Sequence, residues 1–192
     1  MNQLLGILSG GDLRSDGLSD EVVALVLSND ELYDDLYAGL SEKDEVIRGR
    51  TADALEKICR SRPDLVRGHL HDLIHYGRSD NVAMVRWHIA MILGYIVADE
   101  RTVGDIFSAL VEMLHDKSVF TRSWAIVSLT ITGRLYPETR DEAIVAISGL
   151  QWENSAAVRT KVRMALALLS NDQTPFPPGW IKSEHLALYL RK

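Results

Sequence analysis

The chain has a single cysteine, Cys59, so no intramolecular disulfide and no paired-thiol metal site can form. Prolines number only five in 192 residues, three of them within Pro175-Phe176-Pro177-Pro178, which leaves most of the chain free of helix breakers. The longest uncharged apolar run, Ile89 to Ala98, is about half of the roughly 20 residues a bilayer-spanning helix needs. Met1-Asn2-Gln3-Leu4-Leu5 lacks the basic start of a secretory signal. No sustained period-two alternation occurs, and no Asn-Gly or Asp-Gly hairpin joins two apolar runs, so strand signals are missing. Gly10-Gly11 is followed by no Lys-Ser/Thr, which excludes a phosphate-binding loop there. These absences predict a reduced cytoplasmic protein, without a membrane span, built from helices.

What the chain does contain is periodicity. Ile47-Arg48 with Leu55, Val85-Arg86 with Leu93, Thr121-Arg122 with Leu129, and Val158-Arg159 with Leu166 form one ladder. Leu36, Leu73, Leu110 and Ile147, each 37 residues from the last, form a second. Two ladders with one period mean stacked copies of one supersecondary unit. Within a period the apolar spacing is helical: Val82, Val85, Ile89, Leu93 and Ile96 on one run, Val103, Ile106, Phe107, Leu110, Val111 and Leu114 on the next. Pro63-Asp64, Asp99-Glu100 and Tyr136-Pro137-Glu138 separate such runs.

Each unit is therefore an antiparallel helix pair. First helices (A) are expected at 44–61, 81–98, 117–134 and 155–170, and second helices (B) at 30–40, 64–76, 101–115, 139–151 and 183–190. Asp80, Asp116 and Asn154 stand where N-caps belong; His75, His115, Gln151 and Arg191 follow the last apolar residues of B helices, where donors meet free carbonyls. The expected fold is all-α: one right-handed α-solenoid of about five helix pairs over 1–192. It divides into an atypical acidic cap repeat (1–43), regular repeats (44–170), a proline-rich loop (171–182) and a C-terminal helix (183–192).

With an Asp and an Arg six residues apart in successive units (Asp80 and Arg86, Asp116 and Arg122, with Glu153 and Arg159 as a variant), the chain resembles HEAT-repeat proteins. Asp44 fits only if Arg50 replaces Arg48. The resemblance implies an inter-repeat hydrogen-bond ladder of Asp80, Arg86, Asp116, Arg122 and Arg159, with B helices lining a concave binding surface. It also raises the DNA glycosylases of HEAT-like fold, which hold a base with tryptophans and an Asp. Trp87 and Trp124 invite that comparison, with the repeat arginines as a phosphate-binding stripe. Against it, no Asp lies within five residues of either tryptophan, and a pI near 5.5 disfavours nucleic acid.

Other candidates carry little chemistry. His71 and His75 share a helical face at metal-site spacing, but nothing completes a ligand set. Repeated His-Glu pairs, on which HEAT-type iron hydroxylases depend, do not occur. Cys59, near the end of an A helix, reads as a structural thiol. No catalytic set and no cofactor are expected. Phe176 and Trp180 should anchor the proline-rich loop on the last repeat, with Leu186, Leu188 and Leu190 packing beyond it.

Charge is uneven. Residues 1–45 carry eleven acids against Arg14 and Lys43, while 46–192 carry sixteen acids and nineteen bases. Asp34 and Asp35 lie on the first B helix beside Tyr33 and Tyr37, while Leu32, Leu36 and Leu40 supply its docking stripe. With Arg67 and His71 on the next B helix, these residues form the expected contact surface for a protein partner of basic character. The function expected is thus a non-enzymatic adaptor.

Overall fold

The computed structural model describes residues 3–98 and 103–190. The Asp99-Glu100 breaker and Arg191 lie outside them. Among the described residues twelve α-helices follow in order: α1 (Gln3–Leu8), α2 (Ser19–Ser28), α3 (Tyr33–Tyr37), α4 (Glu45–Ser61), α5 (Pro63–Arg67), α6 (Leu70–Ser79), α7 (Ala83–Ile96), α8 (Val103–Met113), α9 (Val119–Leu135), α10 (Arg140–Ser148), α11 (Ala156–Ser170) and α12 (Glu184–Tyr189). No strand occurs among the described residues.

The helices form two layers, as an α-solenoid requires. Helices α2, α4, α7, α9 and α11 pack in sequence as the A layer, and α6, α8 and α10 pack against it as B partners. Leu55, Leu93 and Leu129 are fully buried between repeats, as their ladder predicts, and so are Leu36, Leu73, Leu110 and Ile147 from the second ladder. Leu166, the fourth member of the first ladder, is only half-buried. Where α7 crosses α9, a Cβ on Gly94 would collide with the Ser128 side chain, so glycine is what lets the two helices approach. Ser128 then donates across that contact to the Ala90 carbonyl at 2.7 Å.

Several local features depart from the sequence pattern. The expected helix over 64–76 is two helices broken at Gly68-His69, and the second runs on to Ser79. His75 is therefore interior to α6 and closes no helix end; Ser79 donates to its carbonyl instead. The 30–40 segment is a short α-helix between two 3₁₀ turns, Asp30–Leu32 and Ala38–Ser41. Ser155, one residue after the expected Asn154, caps α11 through the Val158 N–H. Ahead of the 30–40 segment the 1–43 region holds two further helices, α1 and α2, with α2 taking the A position of the first repeat. Between them, a loop with Gly10, Gly11 and Gly17 at positive φ is gathered by Arg50, which donates to the carbonyls of Leu8, Gly10 and Asp12. That role, not a ladder contact, occupies Arg50.

The largest departure is at the other end. Helix α12 does not serve as the B partner of α11 but packs on α4, where Ser183 donates to the Arg60 carbonyl at 2.9 Å across 123 residues of sequence. Trp180 is buried, as anchoring requires, and Phe176 lies under the Arg134 guanidinium. Leu186 is fully buried, whereas Leu188 is exposed.

Candidate functional site

The Arg ladder is complete in its middle. Arg48 pairs with Asp80 at 3.0 Å, Arg86 with Asp116 at 2.6 and 3.1 Å, and Arg122 with Glu153 at 2.7 Å. Each Arg thus reaches the acid of the following repeat. The same guanidinium donates back to the carbonyl six residues earlier: Arg48 to Glu42, Arg86 to Asp80, Arg122 to Asp116 and Arg159 to Glu153. Glu42, not Asp44, is therefore the first acid of the series; Asp44 caps α4. The acids are held by their own turns, since Asp80 accepts from the Val82 N–H and Asp116 from the Ser118 N–H. Arg86 is 4% exposed and fully engaged, so its charge is not available to a phosphate. Arg159 lies exposed and, among the described residues, donates only to carbonyls.

A second column runs through the A layer. Ser19, Asp53, His88, Trp124 and Lys161 follow one another at 34, 35, 36 and 37 residues. Its first three members, all buried, touch in series. Ser19 donates to Asp53, and the His88 Nε2 lies 3.2 Å from the other oxygen of that carboxylate. The Lys57 ammonium adds bonds to Asp53, Asp16, Asp20 and Ser19. Burial alone would raise the Asp53 pKa, but the bonds from His88, Ser19 and Lys57 outweigh it and hold the carboxyl well below the usual range. The same acids raise the Lys57 ammonium above its ordinary value against the cost of burial.

His88 Nδ1 lies 2.8 Å from the Met84 carbonyl and donates to it. Its Nε2, 3.2 Å from Asp53 and 3.1 Å from the Trp87 indole nitrogen, donates to the carboxylate when the ring is charged and accepts from the indole when it is neutral. Chemically this arrangement locks rather than activates. Ser19 donates to Asp53 and accepts from the Lys57 ammonium, and a carboxylate held below its usual pKa is too weak a base to take the hydroxyl proton. A repeat-period search for buried polar positions is the signal that finds this column.

Glu56, fully buried, accepts from Tyr95 at 2.9 Å and from Arg60 on α4. Neighbouring Cys59 is also buried, and burial first, then Glu56, pushes its thiol up. Further along the A layer, Lys161 and Lys182 lie over the Trp124 ring, and Lys161 also over Trp180. Trp87 contacts the exposed Phe120 at 4.8 Å between ring centroids.

The B face is the accessible one. A groove between α6 and α8 is lined by His71, Ile74, His75, Arg78, Asp105 and Ser108. A second, between α8 and α10, is lined by Gly104, Phe107, Val111, Thr139 and Glu142 among others. Asp34 and Asp35 are exposed beside this face. Tyr33 is not available to a partner: it is buried, and its ring packs with Tyr37 and His69. Tyr37 is half-buried with its ring 4.0 Å from His69, and both tyrosine hydroxyls are buried, which raises their pKa. Arg67 is half-buried with its Nε enclosed. Among the described residues, no group of three or more His, Cys, Asp or Glu is placed to hold a metal ion, and His71 and His75 gain no third ligand.

No family model and no curated protein matches the chain. In fold it is similar to a crystal structure of an engineered protein from the Northeast Structural Genomics Consortium. The TM-score is 0.61 at 14% identity, over 87% of this chain and 78% of that one. A second engineered protein from the same consortium superimposes with a TM-score of 0.59 at 15% identity, over 88% of this chain but 47% of the other. At such identity the likeness concerns the helical architecture alone. No helix among the described residues is long and apolar enough to cross a membrane.

Proposed function

We propose that this chain is a HEAT-type helical scaffold, non-catalytic and cytoplasmic, that binds a basic segment of a protein partner along its B-helix face. The observation that carries this reading is the division of labour between the layers. The ladder, the cluster around Asp53 and the Glu56–Arg60 pair commit most charged residues of α4, α7 and α9 to ion pairs. On the B face Asp34, Asp35, Asp72, Asp105 and Glu142 are all exposed along consecutive helices, beside the Arg78–Glu112 pair. Rows of exposed carboxylates beside half-open apolar positions such as Val111 suit an extended basic peptide, and charge of one sign speeds such an encounter.

The test places a photo-crosslinking residue at Ser108, in the groove, and separately at Ala157, on the exposed side of α11. A partner captured at Ser108 and not at Ala157 supports the reading. The double change Asp34→Asn with Asp35→Asn should then slow association with that partner and flatten its salt dependence. Equal capture at both positions, or an association rate indifferent to the carboxylates, refutes it.

A further inference from the structure

Both ladders end open on the same helix. Arg48, Arg86 and Arg122 each hold an acid from the following repeat, but Arg159 has no acidic partner among the described residues. Leu55, Leu93 and Leu129 are fully buried, but their equivalent Leu166 is half-exposed. The chain beyond α11 does not fill the place, because it turns back and seats α12 on α4. Around the gap lie Trp152, 90% exposed, and Arg163, also exposed; together with Arg159, Val162 and Leu166 they line one shallow depression. A tryptophan left in solvent beside an arginine without an acidic partner is the composition of an interface centre.

The first helix of the A layer shows the complementary surface. Leu18 and Leu25, on one side of α2, are 49% and 42% exposed, with exposed Glu21 between them. Asp16 stands three residues before the start of α2, as Asp80, Asp116 and Glu153 stand before α7, α9 and α11. Its carboxylate is half-exposed and uses one oxygen on Lys57, leaving the other open. Overall charge agrees: residues 1–45 carry eleven acids and two bases, while residues 155–192 carry six bases against Asp172 and Glu184.

We propose that this chain stacks head to tail on a second copy of itself, with the exposed side of α2 from one copy lying on α11 of the next. In that arrangement Asp16 takes the place of the missing ladder acid opposite Arg159, and Glu21 meets Arg163. Leu18 and Leu25 cover Leu166 and Trp152. Such a contact joins two different surfaces, so it extends into longer assemblies instead of stopping at a symmetric dimer.

Sedimentation velocity over a range of protein concentrations, at low and at raised salt, tests this directly. The wild-type chain should show concentration-dependent growth beyond the dimer that weakens as salt rises. Arg163→Glu and Glu21→Arg should each weaken self-association by about tenfold or more, with unchanged helical circular dichroism. Mixed together, the two variants should assemble in alternation. The altered α11 of the first then meets the altered α2 of the second with opposite charge, and their unaltered surfaces pair as in the wild type. A wild-type chain that stays monomeric throughout overturns the proposal, as does association unaffected by either variant, a dimer that never extends, or a mixture that fails to restore binding. None of these outcomes touches the B-face reading, which concerns a different protein captured at Ser108 on α8; a second copy of this chain captured at Ala157 counts for the stacking and not against that reading.

Discussion

Removing Arg86 asks whether the ladder holds the repeats together. Truncation to Ala deletes two bonds to Asp116 and one to the Asp80 carbonyl. Hydrogen bonds to charged groups are worth about 1.5–3 kcal/mol each, and breaking a buried ion pair costs about 3–5 kcal/mol because the survivor stays desolvated. Asp116 keeps the Ser118 N–H and is 12% exposed, so the lower end of that range applies, about 3 kcal/mol. For a chain of this length that is a fall in Tm of about 6–12 °C. Arg159→Ala is the internal control. It removes two carbonyl contacts from an exposed side chain with no acidic partner among the described residues, so its cost should stay below about 1 kcal/mol. Urea unfolding followed by far-UV circular dichroism gives both values on one scale. Equal losses for the two variants would refute the reasoning, since burial and pairing are all that separate them.

The leucine ladder makes a parallel prediction: Leu93→Ala should cost about 2–5 kcal/mol and Leu166→Ala well under half as much, measured by the same denaturation, because only the first leaves a closed cavity. Acid should act through Asp53. Its carboxyl titrates below the unfolded value of about 3.9, so its stabilisation is whole above that pH and is lost as the pH falls below it. Urea midpoints taken from neutral pH downward should therefore drop less steeply in Asp53→Asn, which starts lower, than in the wild type.

Residues that repeat are legible in the sequence, and residues that break the repeat are not. Leu55, Leu93 and Leu129 stand out because an apolar residue at a fixed interval has one physical use in a stacked array. The recurrence of an acid six residues before Arg86 and Arg122 is visible as spacing, although which acid each Arg meets, that of the following repeat, needs coordinates. Glu42 is masked because Asp44 offers a better cap, and Arg50 is drawn into the wrong register for the same reason. The Tyr33–Tyr37–His69 stack is hidden because helical spacing says which side chains share a face, not which of them a neighbouring turn will cover. Ser19, Asp53 and His88 escape a motif search because each differs in residue type, so nothing repeats except the interval.

Helix α12 has a mechanical consequence. In an array whose units touch only their neighbours, strain applied at one end dissipates repeat by repeat, and the whole behaves as a spring. The Ser183 to Arg60 bond, with Leu186 buried beside it, couples the second repeat to a segment that follows the fifth A helix. That tie short-circuits the spring: bending or fraying at α11 must either stretch the 171–183 segment or lift α12 off α4. The middle of the solenoid is thereby stiffened and its unfolding made more nearly all-or-none, at the cost of a long-range contact that can form only after the repeats it spans have stacked.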